Sequence, residues 1–266
     1  MGVAGMRKKA AQGVIGATRV VLDSVDSTNK YAADRLSLPE LPHGSVILAH
    51  EQTEGRGQRG RTWSSAKGLD LTFSIVLRPS HLKASDQFVL AKVAALAVQE
   101  VVEEVLRVAA GLGGGPVCVK WPNDVLVGHR KVAGILIQNE LVGERVAAAI
   151  IGIGLNVNST ELQAGPDATS LRLEAGLPQD RMGLLDRLCE RFQHWWELCS
   201  ADRALLDARY ADLLWGRGRF VDLERDGRSY TGRPLDVDEA GRLLVEDPDG
   251  RVQAYGLDRL RFGPRS

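Results

Sequence analysis

The sequence predicts an α/β (α+β) chain in which a helix-covered sheet is followed by a small antiparallel β module. Three observations carry this. Short β-branched runs alternate with stretches of good helix formers from Thr18 to Leu214. Four strand-like runs follow one another between Val117 and Asn158, and their near-continuous apolar content implies a sheet covered on one face by helices. After Trp215 the pattern turns to short strands separated by Asp226-Gly227, Ala240-Gly241 and Asp249-Gly250, which are hairpin signals.

Residues 1–17 are small, Gly/Ala-rich and partly basic, and are expected to be a frayed leader. Thr18–Asp23 is a β-branched strand. Asp26-Ser27-Thr28-Asn29 supplies cap residues ahead of good helix formers, so a helix starts there. Ser45–Ala49 reads as a buried strand, Glu51–Lys67 as a Gly/Arg-rich loop, and Leu69–Leu77 as a strand stopped by Pro79. Ser85 or Asp86 is expected to cap a helix over Gln87–Leu106, and Gly111–Pro116 to form a flexible connection.

Strands are expected at Val117–Trp121, Asp124–Val127, Lys131–Glu140 and Arg145–Asn158, the last two joined by a hairpin at Leu141-Val142-Gly143-Glu144. Helices fit Arg181–Cys199 and Asp202–Leu214, with Phe192, Trp195 and Trp196 as packing residues. Four short strands follow, Phe220–Glu224, Ser229–Val237, Arg242–Glu246 and Arg251–Tyr255, with the domain boundary near Gly216. The expected division is a leader over 1–17, a main domain over 18–215 and a β-barrel over 216–266.

Composition bounds the function classes. The chain has 266 residues, 44% of them hydrophobic, which is enough for a sizeable core and argues against disorder. Lys plus Arg equals Asp plus Glu at 34 each, so no positive surplus points to nucleic acid or an anionic membrane. No run approaches the ~18 apolar residues of a membrane span, and no signal-peptide core is present. A cytoplasmic location is expected. Cys118, Cys189 and Cys199 are odd in number and far apart, so neither a disulfide framework nor a zinc site is expected. Cys118, within an apolar run, reads as core.

Four segments carry candidate chemistry. In Gly55-Arg56-Gly57-Gln58-Arg59-Gly60-Arg61-Thr62-Trp63, glycines let bare N–H groups approach a ligand and arginines supply forks that fit phosphate or carboxylate oxygens. A solvated basic loop or a nucleic-acid loop would have the same composition. In Lys120-Trp121-Pro122-Asn123-Asp124, a rigid Pro at a strand end aims a cation, an amide and a carboxylate at one place. Lys120 could offset the repulsion between a carboxylate and the α-phosphate of ATP, and Asp124 or Asn123 could orient magnesium. A β-bulge with a surface ion pair is the plain alternative. Lys131 opens a strand that contains Gly134, where a ligand or another backbone would approach closely. Gly152-Ile153-Gly154-Leu155-Asn156 lacks the last glycine of a dinucleotide-binding fingerprint.

In their order and spacing these segments resemble the biotin protein ligases. The motifs that carry the resemblance are Asp26-Ser27-Thr28-Asn29, Gln52 through Trp63, Lys120 to Asp124, Lys131 to Leu136 and Gly152 to Asn158. The resemblance implies a class II-synthetase-like catalytic domain with a mixed central sheet flanked by helices, followed by an SH3-like barrel. It implies that biotin, ATP and Mg²⁺ give biotinyl-5′-adenylate. The biotinyl group then passes to one lysine of a biotin carboxyl carrier domain, with no covalent enzyme intermediate.

Carried over residue by residue, Lys120 and Arg56 match catalytic positions. Ser27, Thr28, Asn29, Gln52, Arg56, Gly57, Gln58, Lys120 and Gly134 match the biotin site. Arg56, Arg59, Arg61, Trp63, Lys120, Asn123, Lys131 and Asn156 match contacts to ATP or the adenylate, and Asp124 a Mg²⁺ ligand. One departure stands out, because Gln58 occupies a position where many family members carry Arg. The few residues ahead of the first strand are too short for a DNA-binding module, so no DNA-binding role is expected. A monomer and a homodimer both fit the family. Lipoate or octanoate ligases share the implied fold but lack the Gly/Arg loop and the Lys-Trp-Pro-Asn-Asp run. A non-catalytic biotin sensor is the alternative from another class.

Overall fold

The computed structural model describes residues 13–37, 41–109, 115–162 and 167–263. The main sheet has seven strands, β1 (Arg19–Leu22), β2 (Ser45–Ala49), β3 (Leu71–Leu77), β4 (Val117–Lys120), β5 (Asp124–Val127), β6 (Arg130–Val142) and β7 (Arg145–Leu155). Their order is β1-β2-β3-β7-β6-β5-β4. β1 and β2 run parallel, with helix α1 (Thr28–Ala33) in the connection between them, and every other pair is antiparallel. The sheet is therefore mixed.

Period-two alternation divides the central strands into two faces. Phe73, Ile75, Ala133, Ile135, Ile151 and Ile153 belong to the main core. Helix α2 (Val89–Val108) lies between the sheet and helices α4 (Arg181–Ala201) and α5 (Arg203–Asp212). Its first half, Val89–Val98, is Val, Ala and Leu apart from Lys92 and is buried on all sides, while Glu and Arg appear on the outer side of its second half. Each Val or Leu buried this way contributes about 1.5–3 kcal/mol. On the opposite face Ala32 of α1 packs with Ile47, Val76 and Ile150. The alternate positions of β3, β6 and β7 carry Thr72, Ser74, Gly134, Gly152 and Gly154, whose small side chains leave room above the sheet.

The second sheet comprises β8 (Val221–Arg225), β9 (Arg228–Val237), β10 (Leu243–Glu246), β11 (Val252–Tyr255) and β12 (Leu260–Phe262), all antiparallel, in the order β11-β10-β9-β8-β12. Asp226 and Gly227, with φ of 50° and 77°, make the tight turn between β8 and β9. Two buried polar contacts tie this sheet to the main domain. Trp121 Nε1 donates to the Gly241 carbonyl at 2.9 Å. Lys92, 1% exposed, pairs with Asp207 at 2.8 Å and donates to the Val237 carbonyl at 3.4 Å. A buried ammonium is tolerated only with such partners.

Several expectations are corrected. Residues 1–12 of the leader lie outside the described residues, but Ile15 is buried and its N–H donates to Gln193 Oε1 at 2.9 Å. Ser85 and Asp86 do not cap α2. They form a 3-10 turn ahead of it, and Phe88 occupies the cap position. Residues 111–114 of the Gly-rich connection also lie outside the described residues. The short helix α3 (Leu171–Ala175) and strand β12 were not anticipated. Cys118 is half-buried rather than core. Burial pushes the Cys189 thiol up to about 11, which leaves it unreactive. Among the described residues no helix is long and apolar enough to cross a membrane.

Candidate active site

A cavity of about 580 Å³ opens over the glycine-bearing face of the main sheet. Each residue matched above to a catalytic, biotin, ATP or Mg²⁺ position lines it, whereas Gly55, Gly60 and Leu155 of the motifs do not. Its two ends differ in chemistry.

One end is a hydrogen-bonded cluster of neutral polar groups. Ser27 is the N-cap residue of α1, yet its side chain makes no capping bond. Thr28 donates to Gln52 Oε1 twice, from its N–H at 2.8 Å and its hydroxyl at 3.1 Å. Ser74 Oγ sits 2.7 Å from both Thr28 Oγ1 and Asn29 Oδ1, and Asn29 Nδ2 donates to the Leu136 carbonyl at 3.1 Å. Gly152 makes this possible, because a Cβ there would collide with Asn29 Oδ1. Ser74 was missed in the sequence. Its signal was a polar residue on one face of an otherwise apolar strand.

The other end is cationic. The Gly/Arg segment folds into a narrow hairpin, with Gly57 N–H donating to the Arg61 carbonyl at 2.7 Å and Trp63 N–H to the Gly55 carbonyl at 2.9 Å. Gln58–Gly60 form a 3-10 turn at its tip. Gly55 is needed because a Cβ would strike the Trp63 carbonyl. Arg56, Arg59 and Arg61 are exposed around the cavity mouth.

Trp63 turns inward from this hairpin. Its indole lies on Gly134 and Gly154, which face each other across β6 and β7. The glycine within β6 thus makes room for an aromatic side chain. Lys131 Nζ stands 5.4 Å from the Trp63 ring centroid and pairs with Asp124 at 2.6 Å. Trp63 Nε1 is buried without a hydrogen-bond partner, which costs about 1–3 kcal/mol until an acceptor arrives.

Lys120 ends β4, and a cis Trp121–Pro122 peptide turns the chain toward Asn123. Asn123 is fixed to β6, its Nδ2 donating to the Ile135 carbonyl at 2.8 Å. Asn156 Nδ2 donates to the Thr169 carbonyl at 3.0 Å. Both amides brace neighbouring backbone, a use the motif reading did not include. Leu260, Arg261 and Phe262 of β12 and Leu257 of the turn before it also line the cavity, and a strand of only three residues shows no period by which to find them.

For magnesium, no group of three or more His, Cys, Asp or Glu residues among those described could hold an ion alone. Asp124 and Asp167 are the carboxylates lining the cavity. That donor set fits an ion carried on a triphosphate, which takes one or two carboxylates and leaves its other positions to phosphate and water.

Comparison with known proteins agrees with this fold. Residues 21–156 match the model of the biotin/lipoate A/B protein ligase family. The biotin–[acetyl-CoA-carboxylase] ligase of Paracoccus denitrificans is 39% identical, over 91% of this chain and 100% of its own length. The bifunctional ligase/repressor BirA of Bacillus subtilis is 34% identical, over 92% of this chain and 74% of its own length. Among solved structures, the Aquifex aeolicus biotin protein ligase in complex with biotin and ATP superposes with a TM-score of 0.74 at 28% identity, covering 92% of this chain and 99% of that one. The chain belongs to the biotin/lipoate A/B protein ligase family and, within it, to the biotin protein ligases.

Proposed function

We propose that this chain activates biotin with ATP as biotinyl-5′-adenylate and transfers the biotinyl group to a lysine of a biotin carboxyl carrier domain. The observation that carries the reading is the meeting of a neutral hydrogen-bonding cluster and a cationic loop in one cavity, with Lys120 on its wall. The relatives support it, being named as ligases that act on acetyl-CoA carboxylase or solved with biotin and ATP.

In the first step a biotin carboxylate oxygen attacks the α-phosphorus of ATP. A new P–O bond forms, the bond to the β-phosphate bridge breaks, and pyrophosphate leaves with its electron pair. The two reacting groups are both anionic, so a fixed cation lowers the barrier more than it stabilises either reactant alone. Lys120 supplies that cation, and Arg56 holds the developing adenylate. Ser27, Thr28 and Gln52 offer the donors and acceptors that a neutral ureido ring requires, with Asn29 and Gly152 shaping the wall. Gly57, Gln58, Arg59 and Arg61 close over the phosphate, while Trp63, Lys131, Asn123 and Asn156 bound the nucleotide end. Asp124 would hold a Mg²⁺ ion, which supplies charge neutralisation on the departing pyrophosphate.

In the second step the carrier lysine amine attacks the acyl carbon, the acyl–phosphate bond breaks, and AMP leaves as the amine loses a proton. No enzyme nucleophile takes part. We assign residues 18–215 to catalysis and 216–266 to an SH3-like module that closes one side of the cavity. The test is ATP–pyrophosphate exchange with biotin, lipoate or octanoate. Exchange with biotin alone is expected. Exchange with lipoate or octanoate instead would reassign the substrate, and none with any acid would remove the enzymatic reading.

A further inference from the structure

Lys120 is gripped by the C-terminal part of the chain on several sides. Val119, one residue before it, donates its N–H to the Leu213 carbonyl at 2.8 Å, and its carbonyl accepts from Trp215 N–H at 2.8 Å. Trp121, one residue after it, donates its indole N–H to the Gly241 carbonyl at 2.9 Å. The Lys120 ammonium itself lies 5.4 Å from the centroid of the Phe262 ring. Phe262 is placed by the pairing of β12 with β8, opposite Leu223. Trp215 packs on it edge-on, with centroids 5.2 Å apart and planes at 80°.

We propose that Phe262 is a positioning residue for the adenylation step, its ring face holding the Lys120 ammonium over the cavity. The proposal rests on Lys120 being the cation of that step. An ammonium within about 6 Å of a ring centroid is attracted by the ring quadrupole. An aromatic face suits the task better than a carboxylate would. A ring face restrains the cation without itself neutralising it. Trp215 fixes the ring in turn, and it stands on the segment that pairs with Val119. The second sheet thereby acts on the reaction through one side chain.

The experiment compares Phe262→Leu and Phe262→Tyr. Leucine keeps apolar packing against Trp215 but removes the ring face, whereas tyrosine keeps the face. In biotin-dependent ATP–pyrophosphate exchange, Phe262→Leu should lower kcat about three- to thirtyfold, the span of a cation–π contact. The KM for biotin and the thermal midpoint should stay close to wild type, and Phe262→Tyr should restore most of kcat. A second readout needs no turnover. In the ligand-free protein, acetylation of Lys120 followed by peptide mass spectrometry should proceed about threefold faster or more in Phe262→Leu than in wild type, and near the wild-type rate in Phe262→Tyr. Equal kcat and equal labelling in all three proteins would overturn the proposal. So would equal losses in both variants with a lowered thermal midpoint, since that pattern marks a packing role alone. If wild type shows no biotin-dependent exchange, the enzymatic reading falls, while the labelling rates still decide whether the ring holds the lysine.

Discussion

Gly152→Ala is the sharpest test of how the neutral end of the cavity is built. Gly152 lies on β7 directly across from Ser74 of β3 and Leu136 of β6. A methyl group there would collide with Asn29 Oδ1, and the backbone beneath it is locked in the sheet, so Asn29 must move. Two hydrogen bonds then go, Ser74 Oγ to Asn29 Oδ1 at 2.7 Å and Asn29 Nδ2 to the Leu136 carbonyl at 3.1 Å. At about 1 kcal/mol each, their loss amounts to ~2 kcal/mol. If that falls on the biotin-bound state, the KM for biotin rises about thirtyfold, at roughly 1.4 kcal/mol per tenfold. The assay is ATP–pyrophosphate exchange over a range of biotin concentrations at saturating ATP, with a thermal melt to show that the variant folds. A biotin KM within about twofold of wild type in a folded protein would refute the reasoning, because Asn29 would then have no part in shaping that end.

Three other perturbations probe separate parts of the account. Lys120→Ala should abolish adenylate formation while changing thermal stability little, since Lys120 is half-exposed on a cavity wall; exchange near wild-type rates would contradict its role. Gln58→Arg should slow release of the adenylate, because an arginine fork adds a phosphate contact that the amide cannot match; an unchanged off-rate, measured by release of labelled adenylate, would show that this position does not limit retention. Burial first, then His81 and Arg78, holds the His43 imidazole below its ordinary value of 6.5. The unfolded chain therefore takes up its proton first as pH falls. The stability from neutral His43 is present above about pH 6.5 and is lost as pH drops through that value toward the folded-state pKa. Because His43 Nδ1 accepts from Arg78 N–H at 3.0 Å, His43→Asn should keep an acceptor there and flatten the fall in Tm between mildly alkaline and mildly acidic buffer. An identical slope in both proteins would exclude His43 as its source.

Much of the fold was legible because its signals are periodic. Ser45–Ala49 is a run of apolar and β-branched residues, and the strand has those bounds. Asp226-Gly227 adopts the left-handed turn that such a pair favours. The failures have physical causes. Ser85 and Asp86 are good cap residues, but one tight turn intervenes before α2 and uses them there. Strand β12 has three residues, too few to show a period, so the contribution of Arg261 and Phe262 to the cavity could not be read. The motif residues were found because their chemistry is unusual in a strand or loop. What sequence could not tell was how they lean on one another. Gly134 and Gly154 make room for Trp63, Asn123 and Asn156 brace backbone, and Ser74 joins Thr28 to Asn29. Those relations depend on which strands become neighbours, which is settled by the whole sheet rather than by any local segment.

On this reading one cavity both makes an acyl-adenylate and delivers it to a protein amine. The most direct measurement is the intact mass of a biotin carboxyl carrier domain after incubation with this chain, biotin, ATP and Mg²⁺, beside a carrier whose target lysine is replaced by arginine. The first carrier should gain one biotinyl group and the second none, with the gain lost when ATP is omitted. A carrier that stays unmodified while biotin-dependent pyrophosphate exchange proceeds would contradict that reading.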